Sequence, residues 1–199
     1  MAETISINIK VTDFIRRFVK NRFFALHYTP DHREIWNNDK KLSLLGSIEN
    51  EQSIGYFLFA GMRWDNIRII DGTQRLMLLF ECFLSPEQRK AIILHTSEYT
   101  YSNQTVIYDL EKRTLGFTNF NRKVSKFKVP IYKLLNEEGF SEIKIMLRES
   151  NKDPSKAEHY IETCDNLFGL FNNLKLQCDI VNNWHYNELE EIAKQHQLK

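Results

Sequence analysis

The hydrophobic period of the chain changes between Ile69 and Leu84. Ile69-Ile70 ends an apolar run of strand length, and Asp71-Gly72 interrupts it. Leu76, Leu79, Phe80, Phe83 and Leu84 then fall at i, i+3, i+4, i+7 and i+8. The first pattern suits a buried strand, and the second suits a helix with one apolar face. A strand that turns directly into a helix needs a sheet to pair it and a layer to receive the helix. The expected class is therefore α+β.

The flanking segments fit that class. Thr4 to Val11 alternates apolar and polar residues, as a strand does, and Thr12 can cap a helix carrying Phe14, Ile15, Phe18 and Val19. Arg22 to Tyr28 is expected to be a strand, Pro30 to Trp36 a loop, and Asn38 to Asn50 a helix. Ile54 to Ala60 and Trp64 to Ile70 predict a hairpin around Gly61, and Thr105 to Leu110 with Arg113 to Thr118 predicts a second. A short helix is expected from Pro86 to about Leu94, and a strand from Phe127 to Ile131. Helices then follow at Lys133 to Asn136, Ser141 to Glu149 and Pro154 to about Leu174. Leu176 to Val181 can return as a strand, and Asn187 to Gln195 reads as a closing amphipathic helix. The expected architecture is a mixed sheet with packed helices. Its core spans residues 1–136, with a helical C-terminal part, 137–199, packed on the same domain.

Composition narrows the class further. A chain of 199 residues suits one domain, and 14 Phe supply a large core. Seven Gly and four Pro argue against long linkers and against an all-β sandwich. The net charge is +1, but it is unevenly placed: residues 1–136 carry 20 Lys/Arg against 14 Asp/Glu, and residues 137–199 carry 7 against 12. Three cysteines without a CxxC pair suggest buried free thiols, not a disulfide or zinc framework. None of the six histidines forms a close ligand pair, so zinc is not expected. No P-loop, G-x-S-x-G or nuclease motif is visible. The N-terminus has no secretory pattern, and no apolar run approaches the ~20 residues a membrane span needs. A cytoplasmic protein without membrane contact is expected.

The chemistry-bearing stretch is Asp71-Gly72-Thr73-Gln74-Arg75. Gly72 permits a backbone turn that a side chain would block. The first N–H groups of the following helix lack intrahelical partners and favour an anion. Arg75 adds a planar fork for phosphate oxygens. Asp71, expected at the N-cap, can also hold a metal ion or a water, and Gln74 can orient that water. Spacing alone favours a plain cap-and-turn, with Arg75 paired to Asp65 or Glu81 on the surface.

This stretch, set between Ile69-Ile70 and Leu76, resembles the Asp-Gly-Gln-Gln-Arg signature of the N-terminal domain of GmrSD-type restriction endonucleases. Arg33-Glu34-Ile35-Trp36, Leu44-Leu45-Gly46-Ser47-Ile48 and Ile54-Gly55 are similar to the family's upstream segments. Ile107-Tyr108-Asp109-Leu110-Glu111, Val129-Pro130-Ile131 and Leu134-Leu135 are similar to its later strands. The resemblance implies a ParB/sulfiredoxin-like fold that binds a nucleoside triphosphate with Mg²⁺ and supports its hydrolysis. It also implies a place in modification-dependent DNA restriction or phage defence, with a separate nuclease subunit as partner. Asp71, Gln74 and Arg75 would be the catalytic residues, and Asp71 would hold the metal. Gly72, Thr73, Arg75, His32, Arg33 and Trp36 would line the nucleotide site. The chain departs from the family in three places. Thr73 stands for the first Gln of the box. Asp31 and His32 stand where a Gln-Arg pair is usual. The Phe-x-Arg-x-Asn motif is missing from Leu189 to Gln195. The expectation is therefore nucleotide binding with weak hydrolysis.

An alternative is a non-catalytic ParB-like module that contacts DNA or protein. Basic and aromatic residues cluster from Lys112 to Lys128, and Lys123 and Lys126 are the candidate nucleic-acid contacts. The first reading of that cluster is an exposed hairpin kept in solution by its charge.

Overall fold

Segments far apart in the sequence form the first strand pair. The computed structural model describes residues 3–21, 36–61, 68–93, 104–119 and 125–182. In it β1 (Glu3–Lys10) runs antiparallel to β7 (Lys175–Asn182), with Glu3 opposite Asn182 and Lys10 opposite Lys175. On its other side β7 pairs in parallel with β2 (Tyr56–Ala60). β2 pairs antiparallel with β3 (Arg68–Asp71), so the order is β1-β7-β2-β3. A second, antiparallel sheet has the order β5-β4-β6, from β4 (Gln104–Asp109), β5 (Thr114–Asn119) and β6 (Lys128–Pro130).

The described helices are α1 (Val11–Asn21), α2 (Asn38–Glu49), α3 (Thr73–Phe83), α4 (Pro86–Ile93), α5 (Ile131–Leu134), α6 (Glu137–Ser150) and α7 (Pro154–Asn173). Several start at side-chain caps that satisfy otherwise orphaned N–H groups. Asn37 accepts from Lys40, Asn136 from Gly139, and Asp153 from Ser155. Pro154 opens α7, where its missing N–H costs nothing. The α7 stripe of Ala157, Tyr160, Ile161, Cys164, Leu167 and Phe171 is buried, as its helical spacing requires.

The protein is thus a mixed α+β structure with two sheets, one mixed and one antiparallel. Register places Phe57 beside Cys178 and Phe59 beside Ile180, and both phenylalanines are buried. Phe59 stacks on Phe14 of α1 at 5.4 Å and on Phe57 at 6.2 Å. α3 packs against α1, α2, α5 and β4, so it joins the two sheets. One hydrophobic cluster runs from Val11 to Cys178 and includes residues from both sheets.

The segment after residue 136 is helical in α6 and α7, but its strand β7 lies inside the first sheet between β1 and β2. The anticipated strand at Arg22 to Tyr28, most of the Pro30 to Trp36 loop and the helix at Asn187 to Gln195 lie outside the described residues. Among the described residues no helix is long and apolar enough to cross a membrane.

Candidate functional site

The strand-to-helix turn is built by two backbone irregularities. Ala60 faces Arg68, Phe59 faces Ile69, and Leu58 faces Asp71, so the register shifts at Ile70 and bends the end of β3. Gly72 follows with φ 93° and ψ 9°, in the left-handed region. A Cβ at Gly72 would stand 2.5 Å from Cδ1 of Phe57, so conformation and space both demand glycine.

Gly72, not Asp71, occupies the N-cap of α3, and no side chain caps that helix. The left-handed turn comes after Asp71, and its carboxylate meets Gly72 and Arg75. Oδ1 of Asp71 accepts from the Gly72 N–H at 2.7 Å, and Oδ2 pairs with Nη2 of Arg75 at 3.3 Å. Leu76 N–H donates to Gly72 O at 2.9 Å as the first helical bond. The N–H groups of Thr73, Gln74 and Arg75 have no acceptor among the described residues, as is usual in a first helical turn.

Arg75 is the centre of the arrangement. Among the described residues its partner is Asp71, not Glu81, and the alternative partner Asp65 lies outside them. Nη1 donates to Ile54 O at 3.2 Å, and Cζ lies 4.7 Å from the centre of the Phe57 ring. Gly55, at φ 81°, closes the other side, where an added Cβ would overlap Nη1. Burial lowers the guanidinium pKa from its ordinary value, and the Asp71 carboxylate opposes that shift. Arginine's ordinary value is so high that the group keeps its charge.

The structure brings part of the sequence-derived set together. Gln74 Oε1 accepts from the Trp36 N–H at 3.2 Å, which ties the start of α2 to the box. Asp71, Gly72, Thr73, Gln74, Arg75 and Trp36 are therefore neighbours. His32 and Arg33 lie outside the described residues, as does Lys123. Lys126 donates to Ser150 O at 3.1 Å, Lys128 sits 3.7 Å from Asp109, and Arg113 contacts His159 at 2.8 Å. These three basic groups of the 112–128 segment have partners within the protein.

Among the described residues no group of three His, Cys, Asp or Glu could hold a metal ion. Asp71 is the one carboxylate of the box, and both its oxygens are engaged. Mg²⁺ is commonly held by one or two carboxylates together with substrate phosphates. Asp71 fits that role only by exchanging Arg75 for the ion.

Sequence reasoning did not anticipate the seat of Arg75, made by Ile54 O, Gly55 and Phe57. The available signal was a single glycine just before a buried strand, which marks close backbone approach. It also missed a buried ion pair behind the box: Lys41 Nζ of α2 lies 2.7 Å from Glu81 Oε1 of α3 and 5.5 Å from the Phe117 ring centre. Searches against protein-family models, curated proteins and solved structures each find no match to this chain.

Proposed function

We propose that this chain is a nucleoside-triphosphate-binding domain of the ParB/sulfiredoxin-like class, with weak hydrolysis, serving a GmrSD-type DNA restriction or phage-defence system. One observation carries the reading: Arg75 is held in the first turn of α3 by a carbonyl, a carboxylate and an aromatic face, beside three N–H groups that no acceptor among the described residues uses. An arginine has five N–H donors, and this clasp engages two of its terminal nitrogens. The remaining donors and the helix N–H groups make an anion site of the kind that suits phosphate.

In this reading the phosphates rest on the N–H groups of Thr73 to Arg75, and the Thr73 hydroxyl adds a neutral donor. Arg75 compensates their charge from its seat on Ile54 O and the Phe57 ring, giving up only its Asp71 contact when the metal takes that carboxylate. The Gln74 carbonyl oxygen is occupied by Trp36, so its NH₂ is the end that can orient a water. Mg²⁺ would neutralise further phosphate charge, with Asp71 as its protein carboxylate.

The test is calorimetry and thermal shift with ATP, GTP, CTP and UTP, each with Mg²⁺, on wild type and Arg75→Ala. A ligand at a hundredfold excess over its Kd stabilises a protein by about 2.7 kcal/mol. One nucleotide should stabilise the wild type, with the effect lost in the variant and slow phosphate release from the wild type alone. If no nucleotide binds, the reading fails and the box is a structural turn.

A further inference from the structure

β1 is an outer strand of the four-stranded sheet. Its inner side pairs with β7 along all eight residues, and no described strand pairs with its outer side. One bond gives the direction of its backbone groups. Val11 N–H donates to Leu174 O at 2.9 Å, one step beyond the Lys10–Lys175 pair. In an antiparallel ladder hydrogen-bonded pairs alternate with unbonded ones. Ile5, Ile7 and Ile9 therefore direct their N–H and C=O groups to β7, and Thr4, Ser6, Asn8 and Lys10 direct theirs to the outer side.

Edges of this kind are blunted in most proteins by a proline, a bulge, a central charge or a short strand. β1 has none of these. It is eight residues long, its register with β7 runs without a shift, and its charged residues stand only at the two ends, Glu3 and Lys10. Ile5 is 49% exposed, and Ile7 and Ile9 are only partly buried, so a stripe of isoleucine runs along the edge. On the other face Thr4, Ser6 and Asn8 are exposed, and their side chains are short and uncharged.

Three features fit this edge to a second copy of itself. A two-fold axis normal to the sheet sets residues of one face against the same face of the other copy. With Ile7 on that axis, Ile5 of each copy lies beside Ile9 of the other, and the half-covered stripes become one. The same axis sets Ser6 against Asn8 of the second copy, so that outward N–H groups meet outward C=O groups. The acidic end of one strand also comes to the basic end of the other. There Lys10 lies opposite Lys175, a like-charge pair that an acidic neighbour relieves.

We infer that the protein forms a two-fold homodimer through β1, which joins two four-stranded sheets into one of eight strands. A single strand pair makes a small interface, so the dissociation constant falls in the micromolar range.

Sedimentation velocity of the full chain from micromolar to submillimolar concentration reads the association, and amide exchange by NMR locates it. The mass should rise from one chain to two. The Ser6 and Asn8 amides, open to water in the monomer, should exchange more slowly as the dimer fills. Ile5→Lys places a charge in the isoleucine stripe at a position exposed in the single chain. It should weaken the dimer about tenfold or more, because two apolar cross-strand pairs are lost, and leave the melting temperature of dilute protein unchanged. Asn8→Pro removes an outward N–H that the β7 ladder does not use, and should abolish the dimer. A chain that stays monomeric throughout overturns the inference, as does a dimer that Ile5→Lys leaves unchanged. So do Ser6 and Asn8 amides protected at every concentration, because the edge would then be covered within one chain. If Asn8→Pro does not fold, Ile5→Lys and the exchange rates decide.

Discussion

Gly55 and Arg75 are matched in space: the Cβ of any other residue at position 55 would overlap the Nη1 atom of Arg75. Gly55 also holds φ 81°. Gly55→Ala therefore adds left-handed strain and displaces the guanidinium from Ile54 O. The expected loss is about 2 kcal/mol or more of stability, read from urea denaturation. Nucleotide-dependent stabilisation should disappear with it, although residue 55 carries no side chain to touch a ligand. A neutral substitution would show that Arg75 is not held as described.

Gly46 gives the opposite result. It lies inside α2, and an added Cβ would meet nothing within 4 Å. Gly46→Ala should raise stability by about 0.5–1 kcal/mol through helix propensity alone. The same urea titration checks it.

The Lys41–Glu81 pair is buried, with side chains 10% and 4% exposed, and Glu81 Oε2 has no hydrogen-bond partner among the described residues. Removing one member strands the other charge. Lys41→Met and Glu81→Leu should each cost about 3 kcal/mol. The double variant Lys41→Met/Glu81→Leu should recover most of that loss, because an apolar pair avoids the desolvation penalty. A double-mutant cycle in denaturant measures the coupling, and additive single losses would show that the two residues act independently.

The three thiols are buried, and burial pushes all of them up, Cys164 and Cys178 to about 12. Carboxylates at Glu81, Asp165 and Asp179 reinforce the shift in the adjacent residue. The folded state thus keeps protons that the unfolded chain releases above its ordinary thiol value. The thiols' contribution is complete below pH 9 and should decline as pH rises from there to about 12. Urea midpoints across that window test the sign. At pH 8 a thiol reagent should label the protein only after denaturation.

Local periodicity was enough to place most elements. The alternation from Thr4 to Val11 became β1, and the helix expected from Pro154 to about Leu174 became α7. Pairing was not legible. The distribution of strands over two sheets, and the entry of β7 between β1 and β2, depend on which apolar faces meet at long range. The box was readable as a turn, but the N-cap assignment moved from Asp71 to Gly72. A left-handed glycine is indifferent to the cap preference that favours aspartate, and Arg75 claims the carboxylate. Its seat came from the carbonyl of Ile54 and the bare backbone of Gly55, which the sequence marks only by a lone glycine before a strand.

The position of β7 also bears on the order of synthesis. Residues 3–10 find their partner only when residues 175–182 have been made, because β1 pairs with β7 and is the edge of its sheet. A nascent chain still on the ribosome therefore holds β1 and β2 apart, each with unsatisfied backbone groups, until the last described strand slides in between. Such late, distant closure slows folding and leaves sticky edges exposed meanwhile. A copy truncated at residue 170 should not give a smaller stable domain. It should give an incomplete sheet that a chaperone or protease meets first.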